Sequence, residues 1–155
     1  QGPLALTAPP NFKILLAFDF GLRRLGIATG NLLTKTAAPL TTLSVGPKLP
    51  WDRLNGLIEE WNPGQLIVGM PDPTRSGTIF KKASLFASNL EKRYDLPVAR
   101  VDESLTSRAA ESILRESRRL GIMRKRVRKE HIDSRAACLI AEQWISTELS
   151  ERAID

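Results

Sequence analysis

The sequence predicts an α/β fold with a mixed sheet flanked by helices, on three observations. The first is Ile14-Leu15-Leu16-Ala17-Phe18-Asp19-Phe20-Gly21, an apolar run that ends in a carboxylate and a glycine turn. Such a run reads as a strand buried on both faces. The second is another apolar run, Gly26-Ile27-Ala28-Thr29-Gly30, close enough to form a hairpin with the first. The third is the alternation of strand and helix patterns in the second half, which implies parallel strands joined by crossover helices. An antiparallel opening and a parallel continuation make a mixed sheet of five strands.

Residues 1–11 suit neither helix nor strand and lack the charged and apolar regions of a signal peptide. Gln1-Gly2-Pro3 reads as a protease-site remnant or as part of an extension, so this segment stands outside the fold. The first two strands are expected over 13–20 and 26–30. A third, rich in Thr and Leu, is expected over 34–45, where Pro39 either breaks it or places it at a sheet edge. Leu54, Leu57, Ile58 and Trp61 fall at i, i+3, i+4 and i+7, predicting a helix that Asn62-Pro63-Gly64 ends. Gln65 to Met70 reads as a short buried strand, followed by a loop of breakers from Pro71 to Gly77. Ile79, Ala83, Phe86, Leu90 and Tyr94 predict the second helix, and Val98-Ala99-Arg100-Val101 the fifth strand.

A third helix is expected after Thr106 or Ser107, with Ala109, Ala110, Ile113 and Leu114 inward. A fourth is expected from about 130 to 149, with Ile132, Ala136, Leu139, Ile140 and Trp144 inward. The fold is expected to be one domain over 12–149, with 150–155 as a tail.

A chain of 155 residues can bury a real core without staples. Its balance of 42% hydrophobic and 26% charged residues is ordinary for a globular protein. No apolar run approaches the ~18 residues of a membrane span. One cysteine, Cys138, cannot form an internal disulfide, which fits a reducing cytoplasm. A lone His131 and a lone Cys138 exclude the usual Cys/His zinc site.

The net charge is +6, and its distribution says more than its size. Arg115, Arg118, Arg119, Arg124, Lys125, Arg126, Arg128 and Lys129 place eight of the 23 cations within fifteen residues, opposed there by Glu116. A cluster of this kind suits a phosphate backbone, so nucleic acid is the expected partner.

In open α/β sheets, sites form at the carboxyl ends of strands. Two strands end in acids here, one at Asp19 and one at Asp102-Glu103. Adjacent strand residues point to opposite faces, so at most one of Asp102 and Glu103 joins Asp19, and the alternation leaves either open. A third acid, Asp133, lies on or beside the apolar face of the last helix, near its start. It suits either the helix dipole or a ligand role. Converging carboxylates repel unless a cation intervenes, and Mg²⁺ or Mn²⁺ takes oxygen ligands of this kind. Two such ions ~4 Å apart can activate water and stabilise the leaving oxygen of a phosphodiester.

Four stretches in order carry a family resemblance. They are Leu16-Ala17-Phe18-Asp19-Phe20-Gly21 with Gly26-Ile27-Ala28; Ile67-Val68-Gly69-Met70-Pro71 with Gly77; Val101-Asp102-Glu103-Ser104-Leu105-Thr106-Ser107; and Ile132-Asp133-Ser134-Arg135-Ala136-Ala137. Over about residues 12–147 the chain resembles the YqgF/RuvX family, Holliday-junction-resolvase-like proteins also described as pre-16S ribosomal RNA nucleases. The resemblance implies an RNase H-like fold and a metal-dependent endonuclease. It assigns the catalytic and metal-binding roles to Asp19, Glu103 and Asp133, with Mg²⁺ or Mn²⁺ as cofactor. Ser104 stands where the family motif has arginine, and Arg108, one turn on, is the cation that can substitute for it. The implied substrate is structured RNA, first of all the 5′ end of pre-16S ribosomal RNA. Branched DNA at a Holliday junction is the alternative, and a non-catalytic nucleic-acid-binding module is a further reading. A monomer or weak dimer is expected.

Overall fold

The computed structural model describes residues 11–74, 77–102 and 129–154, with side chains of the last helix described for 134–148. Five strands form one sheet: β1 (Asn11–Phe20), β2 (Arg24–Asn31), β3 (Thr36–Ser44), β4 (Pro63–Met70) and β5 (Val98–Asp102). Three helices are described: α1 (Trp51–Trp61), α2 (Gly77–Tyr94) and α3 (Lys129–Ile154). The sheet order is β3-β2-β1-β4-β5. β1 runs antiparallel to β2 and parallel to β4, β2 is antiparallel to β3, and β4 is parallel to β5. The mixed sheet expected from the sequence is therefore present. The helix expected after Thr106 or Ser107 lies outside the described residues.

β1 is central, and Leu15, Leu16, Ala17 and Phe18 have no exposed surface. Its even-numbered residues Leu16, Phe18 and Phe20 pack with Leu54 and Ile58 of α1 and Ala83, Phe86 and Leu90 of α2. Its odd-numbered Leu15 and Ala17 pack with Ile67, Val101 and, from α3, Ile140, Ala141 and Ile145. The continuous apolar run thus serves two cores, because alternate side chains point to opposite faces.

Local chemistry explains where the elements stop. Asn62 takes the left-handed conformation (φ 46°) after α1, and its N–H donates to the Ile58 carbonyl, closing the helix. Pro39 sits in the edge strand β3, where the register with β2 passes from Ile27↔Thr41 to Ala28↔Pro39 and leaves Leu40 as an extra residue. A proline without an N–H is tolerated at such a bulged edge.

The buried stripe of α3 differs from the sequence expectation. Ala136 and Ile140 are buried as expected, but Leu139 and Trp144 are only half-buried, and Ala137, Cys138, Ala141 and Ile145 take the inner positions. Ala28 of β2 packs against Ala137 and Cys138, so small residues on both elements bring α3 close to the sheet. The Ile132 side chain lies outside those described.

Tyr94, the single tyrosine of the chain, ties α2 to α1 by donating its hydroxyl to Asn55 Oδ1 at 2.6 Å. Burial pushes its pKa up from 10.0 to about 12, with the Arg93 cation opposing. A raised folded-state pKa favours the protonated form in the native protein. The resulting stabilisation is full below pH ~10 and is lost as the pH rises through the folded value. The tyrosinate absorbance of the native protein should therefore titrate near pH 12, and unfolding should return it to the ordinary value. A native titration already at the ordinary value would contradict this packing.

Candidate active site

Asp19 lies one residue from the carboxyl end of β1, on the face shared with Leu15, Ala17 and α3. Its register places it in a transverse row that crosses all five strands: Thr42, Gly26, Asp19, Gly69 and Val101. Both lateral neighbours of Asp19 are buried glycines, so no side chain stands beside its carboxylate within the row. The hairpin closes just after it, with the Gly21 N–H donating to the Arg24 carbonyl at 2.9 Å. A Cβ at position 21 would lie 2.8 Å from that same oxygen, so the turn admits no side chain there. The result is a half-buried carboxylate at a strand end, between two glycines in its row.

Register also assigns Asp102 to a face of the sheet. Asp102 pairs with Met70, which packs in the core under α1 and α2, whereas Val101 belongs to the α3 face. Asp102 therefore lies on the face opposite Asp19. Glu103 lies outside the described residues, as do Arg108, Arg115, Arg118, Arg119, Arg124, Lys125, Arg126 and Arg128. Lys129 is the first residue of α3.

Position 133 falls within α3, whose docking places it relative to the row. Ala137, one turn later, packs on Ala28 of β2. Ser134 reaches β3: its hydroxyl is 2.6 Å from Thr42 Oγ1 and donates to the Thr41 carbonyl at 3.2 Å. Thr42 is the end of the Asp19 row, so α3 approaches that row as the helix is followed back from 137 to 134. The Asp133 side chain is not among those described.

Among the described residues no three His, Cys, Asp or Glu side chains cluster to hold a metal ion. Hard oxygen donors on open backbone are nevertheless what Mg²⁺ or Mn²⁺ takes, and the Asp19 carboxylate fits that requirement. Cys138 plays no part: burial, then the Glu142 carboxylate beside it, pushes its thiol up to about 11, and Sγ–H donates to Glu142 Oε1 at 3.7 Å.

Sequence reasoning missed the Ser134–Thr42 contact and the flanking role of the two glycines. Gly26 and Gly69 stood in the quoted motifs, but their meeting at Asp19 depends on strand order. Thr42 carried no local signal, since its partner is 92 residues away.

A family profile described as "RuvX: Holliday junction resolvase" matches residues 13–147. The chain belongs to the RuvX family. Among its RuvX relatives, a Legionella pneumophila protein named "Putative pre-16S rRNA nuclease" is 40% identical over 135 residues, covering 85% of this chain and 94% of that one. A Francisella tularensis protein of the same name is 36% identical over 138 residues, covering 87% and 98%. The RuvX fold also matches solved structures. T. thermophilus RuvC in complex with a Holliday junction substrate superposes with a TM-score of 0.54 at 15% identity, over 88% of this chain and 95% of that one. The fowlpox virus Holliday junction resolvase gives 0.54 at 13%, over 86% and 99%. At such identities the likeness establishes the fold, which is RNase H-like.

Ser134 is 8% exposed and its hydroxyl serves two partners, so its loss removes both bonds from a part-buried contact. Ser134→Ala should lower unfolding free energy by ~1–3 kcal/mol in urea denaturation. Combined with Thr42→Val it should cost less than the sum of the two single changes. Strict additivity would mean that the two hydroxyls do not act together.

Proposed function

We propose that this RuvX protein is a metal-dependent endonuclease that cuts phosphodiester bonds in structured RNA, with the 5′ region of pre-16S ribosomal RNA as its substrate. The observation that carries the proposal is Asp19, set at the end of the central strand between two glycines. The shared name of the curated relatives supports the choice of RNA.

In this reading Asp19, Glu103 and Asp133 hold Mg²⁺ or Mn²⁺. When bound, such a metal supplies Lewis acidity, lowering the pKa of water and neutralising charge on the phosphate. The protein's own residues do the placing. β1 presents Asp19 on the α3 face, and the Ser134 contact with β3 seats the start of α3 beside the same row. Asp102 lies on the other face, which supports Glu103 as the acid of the pair in this reading. Gly26 and Gly69 let a sugar–phosphate backbone approach the carboxylate without meeting a side chain. Arg108, Arg115, Arg118, Arg119, Arg124, Lys125, Arg126, Arg128 and Lys129 supply the cations that hold the flanking phosphates. Localisation in the cytoplasm belongs to the same reading. Of the described residues, no helix is long and apolar enough to cross a membrane.

The test is cleavage of a labelled pre-16S RNA fragment and a four-way DNA junction, each with Mn²⁺, Mg²⁺ or chelator. RNA should be cut only with metal. Asp19→Asn should slow cutting by a factor on the order of 10³, the scale of losing a preorganised electrostatic contact, while still giving a cooperative thermal melt. Cutting by Asp19→Asn at the unmodified rate would overturn the assignment. Metal-dependent cutting confined to the junction would overturn the choice of RNA, and binding with no cutting in any metal would leave a binding module.

A further inference from the structure

The same sheet edge that carries Asp19 has a second concave feature on its opposite face. Phe20, the next residue, points away from α3 and forms the floor of a groove of about 270 Å³. Its walls come from three places: Leu22 in the β1–β2 turn, Val45 to Leu49 after β3, and Lys82, Leu85, Phe86 and Asn89 of α2. The volume falls just under the ~300–1,000 Å³ of small-molecule sites, the size for a single heterocycle.

The lining has the chemistry of a base site. Its floor is apolar and fixed. Phe86 is held edge-on by Phe18 at 5.6 Å, meets Phe20 at 5.3 Å and stacks with Trp51 at 5.9 Å between ring centroids. Leu22 and Leu85 are 47% and 61% exposed, large apolar surfaces left uncovered at the rim. Asn89 contributes an amide, which can donate and accept at the edge of a base. Lys82 contributes a cation, and no acid is among the described residues that line the groove. Exposed cations sit beside the lining residues: Lys81 next to Lys82, Lys48 between Pro47 and Leu49, and Arg23, whose carbonyl accepts from the Val45 N–H at 2.7 Å.

We propose that this groove takes one unpaired base of the nucleic acid whose backbone lies at Asp19. The proposal rests on the nuclease reading for the identity of the strand. Charge and continuity favour nucleic acid over a protein occupant. A second copy docked by a two-fold axis through the groove would set these cations against their own images. A nucleic-acid strand brings the opposite charge, and Phe20 is the residue after Asp19, so one strand crossing the sheet edge serves both places. Reading a splayed base beside the scissile phosphate selects bulged or looped substrates over continuous duplex.

The test uses the full chain carrying Asp19→Asn, with fluorescein-labelled hairpins measured by anisotropy at fixed salt. One hairpin carries a single unpaired adenosine and its twin is fully paired, and both are made in RNA and in DNA. The bulged hairpin should bind tighter by roughly tenfold, within the range that one stacked base contributes. Leu85→Ala with Asn89→Ala, both at surface-accessible positions, should bring the ratio of the two affinities near unity. A ratio unchanged by the substitutions, or no preference in RNA or DNA before them, overturns the proposal. So does sedimentation in which the double variant dissociates a dimer, since the groove would then be a subunit contact. Cleavage by the protein with Asp19 intact, with and without the Leu85 and Asn89 substitutions, separates this proposal from the reading it rests on. Lost preference in a protein that never cuts keeps the groove and removes the nuclease. Cutting with an unaltered preference does the reverse.

Discussion

β1 has a layer of helix on each side, and every other feature of the molecule follows from that constraint. Each of its side chains must enter one core or the other, so a slip of one residue would exchange Leu16, Phe18 and Phe20 for Leu15, Ala17 and Asp19. Such a slip would bury the Asp19 carboxylate among Phe86, Leu54 and Ile58, at a cost no apolar contact returns. The large residues on one parity and the small residues plus the acid on the other therefore set both register and site. The α1/α2 side takes the aromatic packing. The α3 side takes Ala17, Ala28 and Ala137, close enough for the start of α3 to reach the sheet and for Ser134 to find Thr42.

Glycine makes the acid usable. A larger residue at Gly26 or Gly69 would stand beside the Asp19 carboxylate in the transverse row, and one at Gly21 would strike the Arg24 carbonyl. The same strand end then serves two faces: an acid between glycines on one, and an apolar groove with cationic neighbours on the other. In the proposed reading the phosphodiester and the unpaired base occupy these two surfaces, at the adjacent residues Asp19 and Phe20.

What could be read from the sequence was what depends on near neighbours. The apolar run through Phe18, the i, i+3, i+4, i+7 spacing of α1 and the breakers after Trp61 are local signals, and each marked a real element. Pro39, a local signal through its missing N–H, left a broken strand or an edge strand, and the sheet order shows the edge. The inner stripe of α3 was harder. Bulk pointed to Leu139 and Trp144, yet Ala137 and Ala141 face the sheet, because Ala28 of β2 and Ala17 of β1, in the clusters that receive them, are over a hundred residues away. Neither alternation nor composition could choose between Asp102 and Glu103. The pairing of Asp102 with Met70 places Asp102 on the face opposite Asp19. Asp19 was legible as an acid at a strand end, but its glycine flanks were not, since they follow from strand order.

The central claim is that Asp19 is the anchor of a divalent metal site at the carboxyl edge of the sheet. Backbone amide NMR during a Mn²⁺ titration tests it most directly, because paramagnetic broadening marks the residues nearest the ion. The account predicts selective loss of the Gly26 and Gly69 signals at low Mn²⁺, and their survival at the same Mn²⁺ in Asp19→Asn. Broadening centred elsewhere in the molecule, or unaltered by the substitution, would contradict it.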